Sequence, residues 1–123
     1  MSIKELLARM TKWMTPSSIE MSNTNMKRSI IALQKSGRVV DMACSGDFIN
    51  LPAGASSTYV TLPEKFRPQG YTKHFRCVNN PNLIVMYVAT TGEITFYNYG
   101  PAITTATNGS FHGSWISESG GVL

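Results

Sequence analysis

Short stretches in which apolar and polar residues alternate, separated by turn residues, recur through most of the chain. The strongest pattern begins at residues 83–88, LIVMYV, an apolar run rich in β-branched and aromatic side chains. After a turn at residues 90–92, Ile94 and Phe96 alternate with polar or amphipathic neighbours. A strand, a glycine-containing loop and an alternating strand predict a β-hairpin.

The same pattern predicts a second hairpin at residues 29–44, with a glycine turn at 35–37. Further strands are predicted at residues 58–62, 71–78 and 111–116, with short segments at 48–51 and around Ile103. About eight short strands at close, even spacing predict an all-β fold, an antiparallel and jelly-roll-like β-sandwich. A parallel sheet would need crossover helices between its strands, and the pattern predicts none there.

A corner is predicted at residues 62–68, LPEKFRP, where Pro63 and Pro68 lie five residues apart. Proline lacks a backbone donor, so both residues cannot lie inside a paired strand. We therefore expect a structured connection between two strands, with Phe66 inserted into the core.

The N-terminus predicts a short amphipathic α-helix over residues 2–14, because Ser2 and Glu5 form a capping-box pattern and Pro16 follows. Residues 15–25 are polar and predict a linker, so the predicted division is 1–26 for helix and linker and 27–123 for the β-sandwich head. A helix of this length is only marginally stable by itself in water. Its apolar side chains must therefore be buried, either against its own sandwich or against copies of the same helix. The apolar stripe comprises Ile3, Leu6, Leu7, Met10 and Trp13.

Composition adds modest constraints. The hydrophobic fraction is 42%, the charged fraction is 15%, and the formal net charge is +4, mostly from the first third of the chain. No run of basic residues occurs, which favours a solvated basic face over a phosphate-binding patch. The charge pattern is therefore only a weak indication of nucleic-acid binding. No signal peptide is visible and no apolar run is long enough to span a bilayer, so we expect no membrane insertion.

Catalytic, metal and cofactor chemistry find little support. The seven acidic residues form no local pair, and His74 and His112 lie far apart in the sequence. Cys44 and Cys77 lack zinc spacing; they could pair across the sandwich, although two free, buried thiols are the favoured interpretation. We therefore expect a protein that is not an enzyme and that uses no metal or cofactor.

A binding role is better supported by residues on the last two strands and the loop between them. Aromatic rings offer flat apolar faces to sugars, and amide and imidazole groups hydrogen-bond hydroxyls. Alternation turns Tyr97 and Tyr99 away from the core and favours a core or interface position over a ligand contact for Trp115. The candidate saccharide-binding residues are Tyr97, Asn98, Tyr99, His112 and Trp115.

Three motifs carry a resemblance: KSGRVV at residues 35–40, LPEKFRP at 62–68 and TTGEITFYN at 90–98. Their order and spacing resemble the head domain of tailed-phage tail-fibre and baseplate receptor-binding proteins, over roughly residues 29–117. One departure is Glu64-Lys65, where a glycine usually precedes the phenylalanine.

The resemblance implies a homotrimer in the virion tail, assembled in the host cytoplasm, that contacts other phage tail or baseplate proteins and host cell-surface saccharide. On this basis we favour the N-terminal stripe as an oligomer interface. The predicted function is adhesion to saccharide by a trimeric head. The alternatives are a purely structural baseplate or tail-tip module, and a β domain that binds single-stranded nucleic acid on a basic, aromatic surface.

Overall fold

The computed structural model describes residues 2–4, 14–21, 26–54, 56–79 and 83–117. Their backbone forms eight β-strands, and a single 3₁₀ turn, Glu64–Phe66, lies between the fourth and fifth. The strands are β1 (Met14–Glu20), β2 (Met26–Ser36), β3 (Val39–Phe48), β4 (Ser56–Thr61), β5 (Lys73–Arg76), β6 (Ile84–Val88), β7 (Glu93–Asn98) and β8 (Thr107–Ile116).

The strands form two four-stranded antiparallel sheets, with the orders β1-β2-β3-β8 and β4-β7-β6-β5. The chain passes from the first sheet to the second after β3 and returns after β7. In the second sheet, β5, β6 and β7 follow one another as neighbours and β4 lies beside β7, which is a Greek-key order. The predicted all-β antiparallel sandwich is confirmed.

The core lies between the sheets, and strands such as β3 and β7 alternate buried and outward positions. In β3, Val40, Met42 and Cys44 are buried while the residues between them are exposed, as the sequence pattern predicts. In β7, Ile94 and Phe96 are buried in the same way. Removing these side chains from water supplies most of the stabilisation of the fold.

Aromatic rings from both sheets meet at the centre. Phe96 of the second sheet lies 5.3 Å from Phe48 and 5.1 Å from Phe111 of the first sheet, between ring centroids. Tyr59 of β4 approaches Phe96 edge-on at 4.9 Å. Edge-to-face and tilted pairs at these distances add to the burial energy and hold the sheets in one relative position.

The proline corner is structured as predicted. Phe66 is 1% exposed and fills the core below the 3₁₀ turn. The indole nitrogen of the buried Trp115 donates a hydrogen bond to the Phe66 carbonyl at 2.7 Å. Ser117 donates its hydroxyl to the Lys65 carbonyl at 2.8 Å. The corner between β4 and β5 is therefore attached to the end of β8 in the opposite sheet.

The β6–β7 turn packs against the same corner. Gly92 has a φ of +90°, and a Cβ atom at this position would lie 2.7 Å from the Leu62 carbonyl oxygen. The Leu62 amide donates to the Gly92 carbonyl at 2.8 Å. Glycine is required because both the backbone conformation and the close approach exclude a side chain.

Three sequence predictions need correction or lie outside the described residues. The linker prediction is wrong for residues 15–20, because β1 pairs along its whole length with β2. The last strand is longer than the predicted 111–116, because β8 begins at Thr107 and is followed by Ser117, which is buried and hydrogen-bonded. Of the predicted helix, residues 5–13 lie outside the described part of the chain, and Met14 belongs to β1.

The Trp115→Phe variant tests the attachment of the corner. We expect the free energy of unfolding to fall by about 1–3 kcal/mol, because the buried Phe66 carbonyl loses its donor. Urea unfolding measures this difference. Tyr71→Phe is the control, since Tyr71 is 71% exposed, and its effect should stay within about 0.5 kcal/mol. Equal midpoints for Trp115→Phe and the unchanged protein would contradict the assignment.

Candidate binding surface

Three tyrosines lie together on the outer face of the second sheet, and we call Tyr87, Tyr97 and Tyr99 the tyrosine face. Their position follows from strand alternation: Met86 and Phe96 are buried, so their neighbours Tyr87 and Tyr97 point outward. Tyr99 follows β7 on the same side and is 55% exposed. The prediction that Tyr97 and Tyr99 face away from the core is confirmed.

The rings contact one another directly. The centroids of Tyr97 and Tyr99 lie 4.3 Å apart, with the planes tilted by 46°. The hydroxyl groups of Tyr87 and Tyr99 are hydrogen-bonded to each other. The His74 ring of β5 lies 6.1 Å from the Tyr87 ring. These contacts give a continuous aromatic surface across three neighbouring strands and their ends.

The surroundings of the Tyr87 hydroxyl favour its protonated form. The hydrogen bond with Tyr99, with smaller contributions from burial and from the neighbouring tyrosines, raises the pKa of Tyr87. A neutral hydroxyl both donates and accepts, so the pair can bind a ligand hydroxyl in either direction.

Residues around the rings complete the surface. Strand register places Val85 beside Tyr97 and Thr95 beside Tyr87. Arg76 of β5 lies opposite Val85. The surface is thus largely uncharged, with apolar ring faces, hydroxyl groups and one arginine at its edge.

Asn98 lies between two of these tyrosines in sequence, but its side chain points inward and is fully buried. Its amide nitrogen donates to the Leu51 carbonyl at 3.2 Å and to the Pro101 carbonyl at 2.9 Å. Its side-chain oxygen accepts the Gly100 amide at 2.9 Å. Asn98 therefore joins two loops beneath the surface, and its burial corrects the prediction of a ligand contact.

Trp115 and His112 also lie away from the tyrosine face. Trp115 is 4% exposed and donates its indole N–H to Phe66, which corrects its place among the saccharide-binding candidates. His112 is exposed, but on β8 of the first sheet, so it faces the opposite side of the sandwich. The structure therefore brings together only two of the five predicted residues, Tyr97 and Tyr99.

Sequence reasoning missed Tyr87 and His74. The positions of these two residues on the surface depend on strand pairing, since β5 and β6 align His74 with Tyr87. The apolar run at residues 83–88 concealed the outward position of Tyr87, because the strand alternates only between fully and partly buried side chains.

Of the predicted oligomer stripe, Ile3 is exposed, and the other four residues lie outside the described part of the chain.

The described residues show little other site chemistry. Within residues 2–4, 14–21, 26–54, 56–79 and 83–117, no three His, Cys, Asp or Glu side chains are grouped to hold a metal ion. Over these same ranges, no helix has the length and hydropathy required to cross a bilayer.

The two cysteines are free thiols, and their environments differ. Cys44 is buried in β3, whereas Cys77 is half-buried just after β5. Burial, with a smaller contribution from Cys77, raises the pKa of Cys44 to about 12. Since the thiolate is the reactive form, Cys44 is protected both by its position and by its ionisation.

Comparison of the chain with protein-family models and with curated protein sequences gives no match.

The difference between the cysteines predicts two phases in thiol modification. At pH 8, Cys77 should react with an aromatic disulfide reagent well before Cys44, because fewer than about one in a thousand Cys44 side chains is ionised. Absorbance of the released thiol measures both phases. Cys77→Ser should remove the fast phase, and Cys44→Ala should retain it. Equal rates for the two thiols would contradict the prediction.

Proposed function

We propose that this protein is a tail-fibre or baseplate protein of a tailed phage, and that its β-sandwich head adheres to host cell-surface saccharide through the tyrosine face. The observation that carries the proposal is the outward cluster of contacting rings formed by Tyr87, Tyr97 and Tyr99. The resemblance over residues 29–117 supports the phage assignment, and the sandwich is the fold that it implies.

The chemistry of the tyrosine face suits a neutral sugar. A pyranose presents C–H groups to a ring face and hydroxyls at its edge, so stacking and hydrogen bonding act on the same ligand. The Tyr87 and Tyr99 hydroxyls supply the polar contacts, and Thr95 adds another hydroxyl nearby. An open, flat surface binds one sugar weakly.

We propose that the protein acts as a homotrimer, so that three weak sites act together. Once one head is attached, the effective concentration of the other sites at the same cell surface makes attachment firm without a deep pocket. The N-terminal stripe that begins at Ile3 would hold the subunits together and connect them to other tail or baseplate proteins.

Binding of single-stranded nucleic acid is the second candidate, because Arg76 lies at the edge of the tyrosine face. Stacked bases and a cation are the usual elements of such sites. The face contains one arginine, so phosphate contacts would be few. A purely structural module is the third candidate, and it requires no ligand at all.

Substitution of Tyr97 and Tyr99 by alanine tests the adhesion proposal. We expect binding of fluorescently labelled protein to an adsorbing bacterial strain, measured by flow cytometry, to fall by about tenfold or more, because aromatic anchors dominate such contacts. His112→Ala, on the opposite face, is the matched control and should bind normally. Circular dichroism and the solution mass should be unchanged in all variants.

Periodate oxidation of the cells should abolish binding of the unchanged protein, because it cleaves vicinal diols of saccharides. Normal binding by the double tyrosine variant would contradict the proposal and favour a structural module. Binding to single-stranded DNA that falls steeply with salt would favour the nucleic-acid candidate instead.

Light scattering tests the trimer. The intact chain should have a mass of about 40 kDa, three times 13.5 kDa. A chain that begins at Met14 keeps all eight strands; if it is monomeric, the stripe holds the trimer, and if it stays trimeric, the sandwich does. A monomeric intact chain would contradict the trimer proposal.

A further inference from the structure

Two exposed aliphatic side chains extend the tyrosine face at one end. Val78 is 64% exposed and Leu83 is 58% exposed. We call these two residues the aliphatic edge. A single exposed aliphatic residue is common on protein surfaces, but a pair beside exposed aromatic rings forms a contiguous apolar patch, and such patches mark interaction sites.

Backbone pairing places the two residues side by side. The Cys77 amide donates to the Ile84 carbonyl at 3.0 Å. In an antiparallel arrangement this pair brings the next residues along each chain, Val78 and Leu83, next to each other. Ile84 is buried and Cys77 packs against the core, so alternation turns the aliphatic edge to the outer face of the second sheet.

Tyr99 connects the aliphatic edge to the rest of the tyrosine face. Its amide donates to the Leu83 carbonyl at 2.6 Å, and its hydroxyl is hydrogen-bonded to the Tyr87 hydroxyl. Leu83 and Tyr87 are four residues apart, which is about 13 Å along an extended strand. The Tyr99 side chain therefore runs from the aliphatic edge towards the hydroxyl pair, and its ring contacts that of Tyr97 on the way.

Few charges lie near the aliphatic edge. Arg76, two residues before Val78, and His74 occupy the exposed positions of β5. β5 and β6 contain no acidic residue, and Glu93 lies at the start of β7, six residues before Tyr99. An uncharged ligand is therefore favoured, with the Arg76 guanidinium as a hydrogen-bond donor at the side.

We propose that the saccharide bound by the tyrosine face carries a methyl group, as N-acetylated and 6-deoxy sugars do; this inference rests on the function proposed above. The methyl group lies against the aliphatic edge, the sugar ring stacks on Tyr97 and Tyr99, and the sugar hydroxyls reach the Tyr87 and Tyr99 hydroxyls. A sugar hydroxyl in place of the methyl group would lose water without gaining a partner, because aliphatic side chains offer no hydrogen bond.

The two kinds of sugar differ in one further group. An acetamido substituent has a carbonyl oxygen, which the Arg76 guanidinium can bind, whereas a 6-deoxy sugar has no acceptor beside its methyl group. Both satisfy the aliphatic edge, so matched sugars are needed to separate them.

Saturation-transfer difference NMR of the full-length protein with free monosaccharides tests the proposal. The probes are glucose and galactose, each with its N-acetylated and its 6-deoxy counterpart. In at least one series a methyl-bearing sugar should bind about fourfold more tightly than the parent sugar, which is the effect of burying one methyl group. Its methyl protons should receive the strongest saturation. Preference for the N-acetylated sugar identifies the acetamido group, and preference for the 6-deoxy sugar identifies the exocyclic methyl group.

Two matched variants locate the specificity. Leu83→Ser should remove the preference for the methyl-bearing sugar and leave binding of the parent sugar unchanged. Ile116→Ser is the control, because Ile116 is also an exposed aliphatic residue but lies on β8 of the first sheet, and it should keep the preference. Tyr97→Ala should weaken binding of every sugar.

Equal binding of all sugars would overturn the methyl specificity and leave the adhesion proposal standing. Absence of binding in both series would also overturn it, whereas the adhesion proposal is decided separately by binding to cells. Tighter binding of glucuronic acid than of N-acetylglucosamine would show that Arg76 selects an acidic sugar instead. A solution mass lowered by Leu83→Ser and not by Ile116→Ser would identify the aliphatic edge as a subunit contact and contradict the proposal.

Discussion

The hydrogen bond from Trp115 to the Phe66 carbonyl is the contact on which one side of the sandwich depends. It joins the last strand of the first sheet to the connection between β4 and β5 in the second. Phe75 packs against Trp115, with ring centroids 5.8 Å apart, and extends the junction along β5. Because the donor and the acceptor are buried, breaking the bond would leave a polar group without water, so the junction is specific as well as stable.

The same constraint that builds the core also builds the tyrosine face. In β7, Phe96 lies among the central rings while Tyr97 points outward, so both positions depend on one strand register. A slip of one residue would exchange them, burying the hydroxyl and exposing the phenylalanine. The edge-to-face packing of Phe96 against Phe48 and Tyr59 opposes such a slip and therefore also positions the outer rings.

Asn98 connects this strand to its loops. Beneath the tyrosine face it binds the Leu51 and Pro101 carbonyls, and its own carbonyl accepts the Gly54 amide at 2.8 Å. A Cβ atom on Gly54 would lie 3.6 Å from the Tyr97 hydroxyl, so the loop that Asn98 holds passes beside the surface. An amide suits this role because it donates and accepts at once, which neither an aspartate nor an apolar side chain can do.

The sequence by itself determined the features that depend on neighbouring residues. The period of two placed Phe96 inside and Tyr97 outside, and the two prolines required a corner that Phe66 could fill, because both constraints are local. Tertiary structure alone decided which distant residues meet. The polar segment of β1 became a strand because pairing with β2 uses the backbone, which no side-chain pattern reports. Sheet order brought Tyr87 to Tyr99, and the folded corner brought Phe66 to Trp115, since such contacts depend on how strands assemble and not on their sequences alone.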